Sequence, residues 1–149
     1  MHIEEVTREA SLRFLAGRRF GRLGCARNSQ PYITPINFAC HDRFIYSFST
    51  VGRKIEWLRA NPLACVEVDE IESAWKWTSV IVSGRYEELS GTVGGQEGRK
   101  FAHKLLSEQE MWWEPGYART ILHGAPRPLE PVYFRISIDE ITGHRAVQP

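Results

Sequence analysis

The sequence predicts a small, mainly β protein: an antiparallel barrel, closed or nearly closed, carrying a few helices. Three observations point there. Apolar and polar residues alternate in short runs, as where Ala64, Val66 and Val68 interleave with Cys65, Glu67 and Asp69, which is the period of a half-buried strand. Turn-forming clusters recur at short, regular spacing, and such connections suit antiparallel hairpins and not parallel crossovers. Few segments carry a helical apolar stripe. About five to seven short strands with so little helix pack best as a barrel, which also removes exposed sheet edges.

In chain order, Thr7 to Ala16 reads as an amphipathic helix, with Ala10, Leu12, Leu15 and Ala16 as its apolar surface and Gly17 placed to end it. Phe20 to Ser49 holds three strand candidates, divided by the turn-rich Arg27-Asn28-Ser29-Gln30-Pro31 and by Cys40-His41-Asp42-Arg43. Arg53 to Ala60 suits a short helix that Asn61-Pro62 stops, because proline disfavours a helical residue before itself. Two strands follow, over 64–69 and 79–83. The turn Gly91 to Gly95 then leads into a helix around Glu97 to Glu108, striped by Phe101, Ala102, Leu105 and Leu106. Met111 to Pro131 is turn-rich and is expected to wrap over the fold, and Val132 to Ile138 makes the final expected strand.

At 149 residues the chain suits one domain spanning 1–149. Its 42% apolar and 25% charged residues fit a soluble globular protein, and no stretch has the length of a membrane span or the pattern of a secretory signal. A cytoplasmic location is expected. A net charge of +1, with cations scattered apart from Arg18-Arg19 and Arg53-Lys54, offers no broad field for nucleic acid. Cys25, Cys40 and Cys65 are odd in number and lack metal or disulfide spacing, so they are expected as buried reduced thiols.

The most informative stretch runs from Phe44 to Lys54. An aromatic strand ends at Ser47, Ser49, Thr50 and Gly52, then enters a helix through Arg53 and Lys54. The start of a helix exposes unpaired N–H groups and positive partial charge, so two cations there repel the dipole unless an anion lies between them. Hydroxyls, free amides and a glycine that permits close approach are what a phosphate requires. The alternative is that both side chains splay into water.

Gly21-Arg22-Leu23, Pro31-Tyr32-Ile33-Thr34-Pro35-Ile36-Asn37-Phe38, Gly52-Arg53-Lys54, Asn61-Pro62, Trp77-Thr78-Ser79-Val80 with Gly84-Arg85, and Thr142-Gly143-His144-Arg145 form an ordered set over nearly the whole chain. In that order they resemble the pyridoxamine 5′-phosphate oxidase-like flavin-binding split barrels, especially the branch similar to nitroimidazole-resistance proteins. The resemblance implies a homodimer with FMN at the subunit interface. It implies that Arg53 and Lys54 clamp the FMN phosphate with Ser49 and Thr50 nearby, and that Ser79 approaches the phosphate or ribityl chain. Ile36 and Asn37 would border the isoalloxazine ring. His144 and Arg145, following Gly143 at the end of the last strand, would lie near the flavin, including that of the partner subunit. Trp112 and Trp113 would either roof the flavin or pack at the dimer interface.

Other chemistries fail on inspection. The five histidines show neither metal-ligand spacing nor a His-Glu-x-x-His helix, Gly91 to Gly98 has no phosphate-loop spacing, and no Gly-x-Ser-x-Gly elbow is present. The absence of an acid, base and nucleophile constellation suits a protein whose cofactor does the chemistry. The expectation is an FMN-dependent oxidoreductase that reduces a small acceptor, a nitro compound or a quinone. Oxidation of a vitamin B6 phosphate is disfavoured, since no Arg-x-His pair and no oxidase-like C-terminus are found. A non-catalytic flavin or haem binder, with His144 or His123 offered as haem ligand, and a deazaflavin-dependent reductase are the alternatives.

Overall fold

The computed structural model describes residues 1–89, 93–109, 119–122, 124–128 and 130–148. Its elements are β1 (His2–Val6), α1 (Arg8–Ala16), β2 (Phe20–Arg27), β3 (Gln30–Asn37), β4 (Ala39–His41), β5 (Phe44–Thr50), α2 (Arg53–Ala60), β6 (Leu63–Ser73), β7 (Lys76–Glu88), α3 (Val93–Ser107), β8 (Arg119–Leu122), β9 (Ala125–Pro128), β10 (Pro131–Ser137) and β11 (Glu140–Val147). Among the described residues no helix is long and apolar enough to cross a membrane.

Nine strands form one antiparallel sheet in the order β3-β2-β6-β7-β10-β5-β4, with β11 and then β1 branching from β7. The long β7 makes the branch possible. Trp77 to Ser83 pairs with β11, while Tyr86 to Glu88 pairs with β10. Gly84 sits between the two halves, where a Cβ would overlap the Ser137 carbonyl. Strands β3 and β4, the two ends of the sheet order, are consecutive in the chain with only Phe38 between them. The chain itself therefore bridges the opening, and the buried Ser47 hydroxyl donates to the Asn37 carbonyl across it. The result is the curled, mostly antiparallel sheet of a split barrel.

The two-residue turn Asn28-Ser29 explains the first hairpin. Both residues have positive φ, at 50° and 64°, as a turn that matches strand twist requires, and this pairs Arg27 with Gln30 and Cys25 with Tyr32. The core fills the curl with Leu23, Val66, Val68, Val80, Val82, Phe134 and Ile136, all fully buried. Helix α1 begins where the Thr7 hydroxyl accepts from the Ala10 amide, and buries Ser11 and Leu15. Helix α2 closes one end of the barrel with Ile55 and Leu58, both at 0% exposure. The Asn61 side chain then pins the end of α2 by donating to the Ala26 carbonyl at 3.1 Å.

Several expectations need correction. Strand β1 is additional, and β11 extends the sheet beyond the strand expected to be last, so His144 and Arg145 lie inside a strand and not after one. Four strands, not three, fill 20–50, because Phe38 breaks β3 from β4. The β6–β7 hairpin is longer than the alternating cores 64–69 and 79–83, and Ser79 lies within β7 and does not open it. Helix α3 starts earlier, at Val93. The wrapping segment contains a small β8–β9 hairpin. Residues 90–92, 110–118, 123, 129 and 149 lie outside the described residues, and with them Trp112, Trp113, His123 and part of the Gly91 turn. The cysteines are all free, but only Cys25 is buried; Cys65 is exposed because it faces outward from β6 opposite Gly24.

Candidate functional site

The approach to α2 carries the chemistry. Gly52 is the N-cap residue, in an extended conformation, and no side chain caps the helix. A Cβ built there meets nothing within 4 Å, so the space before the first turn is open. The free N–H groups of that turn and the positive end of the helix dipole face this space. Glu56, the acid of the first turn, is exposed, and beside it stand two cations.

Those cations part company. Lys54 is partly buried, and its ammonium donates to Ser49 Oγ at 3.0 Å. Burial pulls the Lys54 pKa below its ordinary value of 10.5, against a smaller opposing effect of Cys25. No carboxylate pairs with this ammonium among the described residues. A partly desolvated cation held by one neutral hydroxyl is poised for an anion, because ion pairing is what normally offsets the desolvation of a charge. Arg53 is exposed instead, and its guanidinium lies 5.4 Å from the centre of the Tyr32 ring. Tyr32 in turn packs on Trp57 of the next helical turn, with ring centres 5.6 Å apart.

Cys25 joins the two cations, being the cross-strand partner of Tyr32 and electrostatically coupled to Lys54. Its thiol pKa is raised, first by burial and then by Cys65, with Lys54 opposing. Cys25 and Tyr32 both line a groove of about 870 Å³ that also includes Gly24, Ile33, Cys65 and Glu140. Ser49, Gly52, Arg53 and Lys54 are not among its lining residues, so the groove adjoins the cations through Cys25 and Tyr32. Sequence reasoning missed Tyr32, Cys25 and Trp57 as neighbours of the cations. The signal was present in the Asn28-Ser29 turn, whose two-residue length sets Tyr32 opposite Cys25.

The other expected residues fall into two groups. Ser49, Thr50, Gly52, Arg53 and Lys54 gather at the end of β5 and the start of α2. Ser47 and Asn37 sit close by, tied to each other, with Ser47 fully buried and Ile36 at 5% exposure. Strand β3 ends the sheet order, so its far edge is turned away from β2. Ser79 and His144 form the second group, as direct cross-strand partners on β7 and β11. Ser79 Oγ donates to Glu67 at 3.3 Å, and burial followed by the neighbouring Asp69 raises the Glu67 pKa. Arg145 faces the other way from His144 and its Nε donates to Glu4 at 2.7 Å. Ser79 pairs with Asp69, four residues beyond Cys65 on β6, or roughly 13 Å at 3.3 Å per residue. The second group thus lies along the sheet from Cys65, the neighbour of Cys25. Among the described residues no cluster of His, Cys, Asp and Glu suits a metal ion.

Comparison with known proteins agrees with this architecture. The family model described as pyridoxamine 5′-phosphate oxidase matches residues 7–145. An uncharacterised protein of Rhizobium meliloti is 36% identical over 146 residues, covering 98% of this chain and 97% of its own. The crystal structure of a protein from Mesorhizobium loti described as FAD-binding is 37% identical, covers 99% of both chains and superposes with a TM-score of 0.79. A candidate 5-nitroimidazole antibiotic resistance protein of Bacteroides thetaiotaomicron shares the fold, with a TM-score of 0.68 at 16% identity over 97% of this chain and 89% of its own.

Proposed function

Because the chain belongs to the pyridoxamine 5′-phosphate oxidase family, we propose that it binds a flavin nucleotide, FMN in the first instance, and serves as an oxidoreductase for a small acceptor such as a nitro compound or quinone. The observation that carries this reading is Lys54: a partly buried ammonium, paired only with the Ser49 hydroxyl among the described residues, beside an uncapped helix start. The residues present fit a phosphate. Lys54, Ser49 and Thr50 would hold it, Arg53 would meet it from the solvent side, and Gly52 leaves the room for it to approach the helix amides. Ile36 and Asn37, on the free edge of β3, would border the ring. Ser47 supports that edge through its bond to Asn37.

When bound, the flavin supplies the hydride and electron chemistry. The chain's own residues bind and orient it, and exclude water through the packing of α2 on the barrel end. FAD is the second candidate, since the Mesorhizobium relative is described as FAD-binding and both nucleotides present phosphate to Lys54.

A homodimer unites the two residue groups. The outward faces of β3, β2, β6 and β7 carry Ile33, Phe20, Ile71 and Ile81 at 67%, 52%, 70% and 45% exposure. Between them run the Arg22–Asp69 ion pair and the Ser79–Glu67 hydrogen bond. Large apolar side chains set among satisfied polar pairs are what an interface between copies needs. Pairing through this face would carry Ser79 and His144 of one copy toward the other's cofactor. His144, exposed on β11, is then suited to hold an acidic group of the acceptor, with Arg145 anchoring the strand beside it.

The test is the visible absorption spectrum of the purified protein, with mass spectrometry of whatever heat releases, before and after addition of FMN. Flavin bands and released FMN or FAD support the proposal. A Soret band, a released deazaflavin, or no chromophore with no FMN uptake overturns it.

A further inference from the structure

We infer that Tyr32 is the positioning residue for Arg53, and through it sets the preference of the site for a phosphorylated flavin over one without phosphate. The inference rests on the flavin reading above. It starts from the unlike placement of the two cations. Lys54 is partly buried and oriented by Ser49, whereas Arg53 is exposed and has no side-chain hydrogen bond or ion pair of its own among the described residues. A free guanidinium on a helix start samples many rotamers, and ordering it on a ligand costs entropy.

Tyr32 removes part of that cost. Its ring is contacted by the Arg53 guanidinium at 5.4 Å, within the range of a cation–π interaction. The ring itself is held by Trp57 on the same helix and by the strand pairing of Tyr32 with Cys25. Arg53 and Trp57 are four residues apart and so share one face of α2, which makes Tyr32 the surface on which that face rests. Tyr32 also lines the groove, so the ring that the guanidinium contacts is part of the groove's wall. Its hydroxyl takes no part in the contact, so Phe should serve as well as Tyr.

The experiment measures dissociation constants for FMN and riboflavin on wild type, Tyr32→Leu, Tyr32→Phe, Arg53→Ala and the double variant Tyr32→Leu/Arg53→Ala, with Lys54→Ala as reference. Tyr32→Leu is expected to lower the FMN-to-riboflavin preference about three- to tenfold, in line with a cation–π contact. Riboflavin affinity should fall less than FMN affinity, and Tyr32→Phe should restore the preference. In the Arg53→Ala background the Tyr32→Leu change should have no further effect on the preference, the signature of acting through Arg53. If Tyr32→Leu weakens both ligands equally, or acts undiminished without Arg53, the inference is overturned while the phosphate site stands. If wild type binds FMN and riboflavin equally, the phosphate reading fails and the inference fails with it.

Discussion

Lys54 is the residue on which the flavin reading turns, as a partly buried cation with one hydroxyl partner. Burial disfavours its charge, so its pKa in the folded protein lies below the 10.5 of an unfolded lysine. Between those two values the unfolded chain binds more protons, and the ligand-free protein gains stability as pH rises through the folded value, with no further gain from this group above 10.5. An anion reverses the preference by favouring the ammonium. FMN binding should therefore take up protons at alkaline pH, and its affinity should fall as pH rises through the lowered Lys54 value. Calorimetry in buffers of different ionisation enthalpy, compared with Lys54→Ala, isolates this contribution; a proton uptake identical in the two proteins would refute it. The sequence made this residue legible through two adjacent cations at a helix start. It did not show that the pair divides, since that follows from Tyr32 and Cys25 arriving on a neighbouring hairpin.

Among the elements, α2 begins without a side-chain cap, as the proposed phosphate site requires. An N-cap of Asp normally strengthens a helix, and Gly52 has both the backbone conformation and the room for one. Gly52→Asp should raise the unfolding free energy by about 0.5–1 kcal/mol, from capping and from charge at the positive end of the dipole. The same carboxylate would sit where the phosphate is proposed to bind, so FMN affinity should drop. Thermal denaturation and flavin titration on the one variant read both effects, and a stabilised protein with undiminished FMN affinity would move the phosphate elsewhere. Helices α1 and α2 were legible nearly to the residue because Thr7, Gly17 and Asn61-Pro62 punctuate them. The strands β1 and β11 were not. Neither carries a clean apolar alternation, and their pairing spans nearly the whole chain from Glu4 to Arg145, which local patterning cannot reveal.

The outward face of the branching sheet is where a second copy is proposed to dock, because it carries exposed Ile33, Phe20, Ile71 and Ile81. If two copies meet there, Ile81, central on β7 and 45% exposed, should be buried between them. Ile81→Asp should leave the monomer fold intact, since the side chain points away from the core, yet shift the protein from dimer to monomer in light scattering and weaken cofactor retention. A wild-type protein that is monomeric with flavin bound would contradict the shared site. The barrel class and the family were readable from ordered motifs spread along the chain, and the family match over residues 7–145 bears this out. The branch at β7 was not readable. It depends on Gly84 letting one strand change partners midway, and a glycine in a strand looks the same in sequence whether it marks a branch or a bulge.

Whether Lys54 holds a flavin phosphate at the start of α2 is tested by a calorimetric titration of FMN into the wild-type and Lys54→Ala apoproteins at neutral pH. A charge-assisted phosphate contact contributes about 1.5–3 kcal/mol, so the variant should bind roughly ten- to a hundredfold more weakly while remaining folded. Equal affinities in the two proteins would rule out a phosphate contact to Lys54.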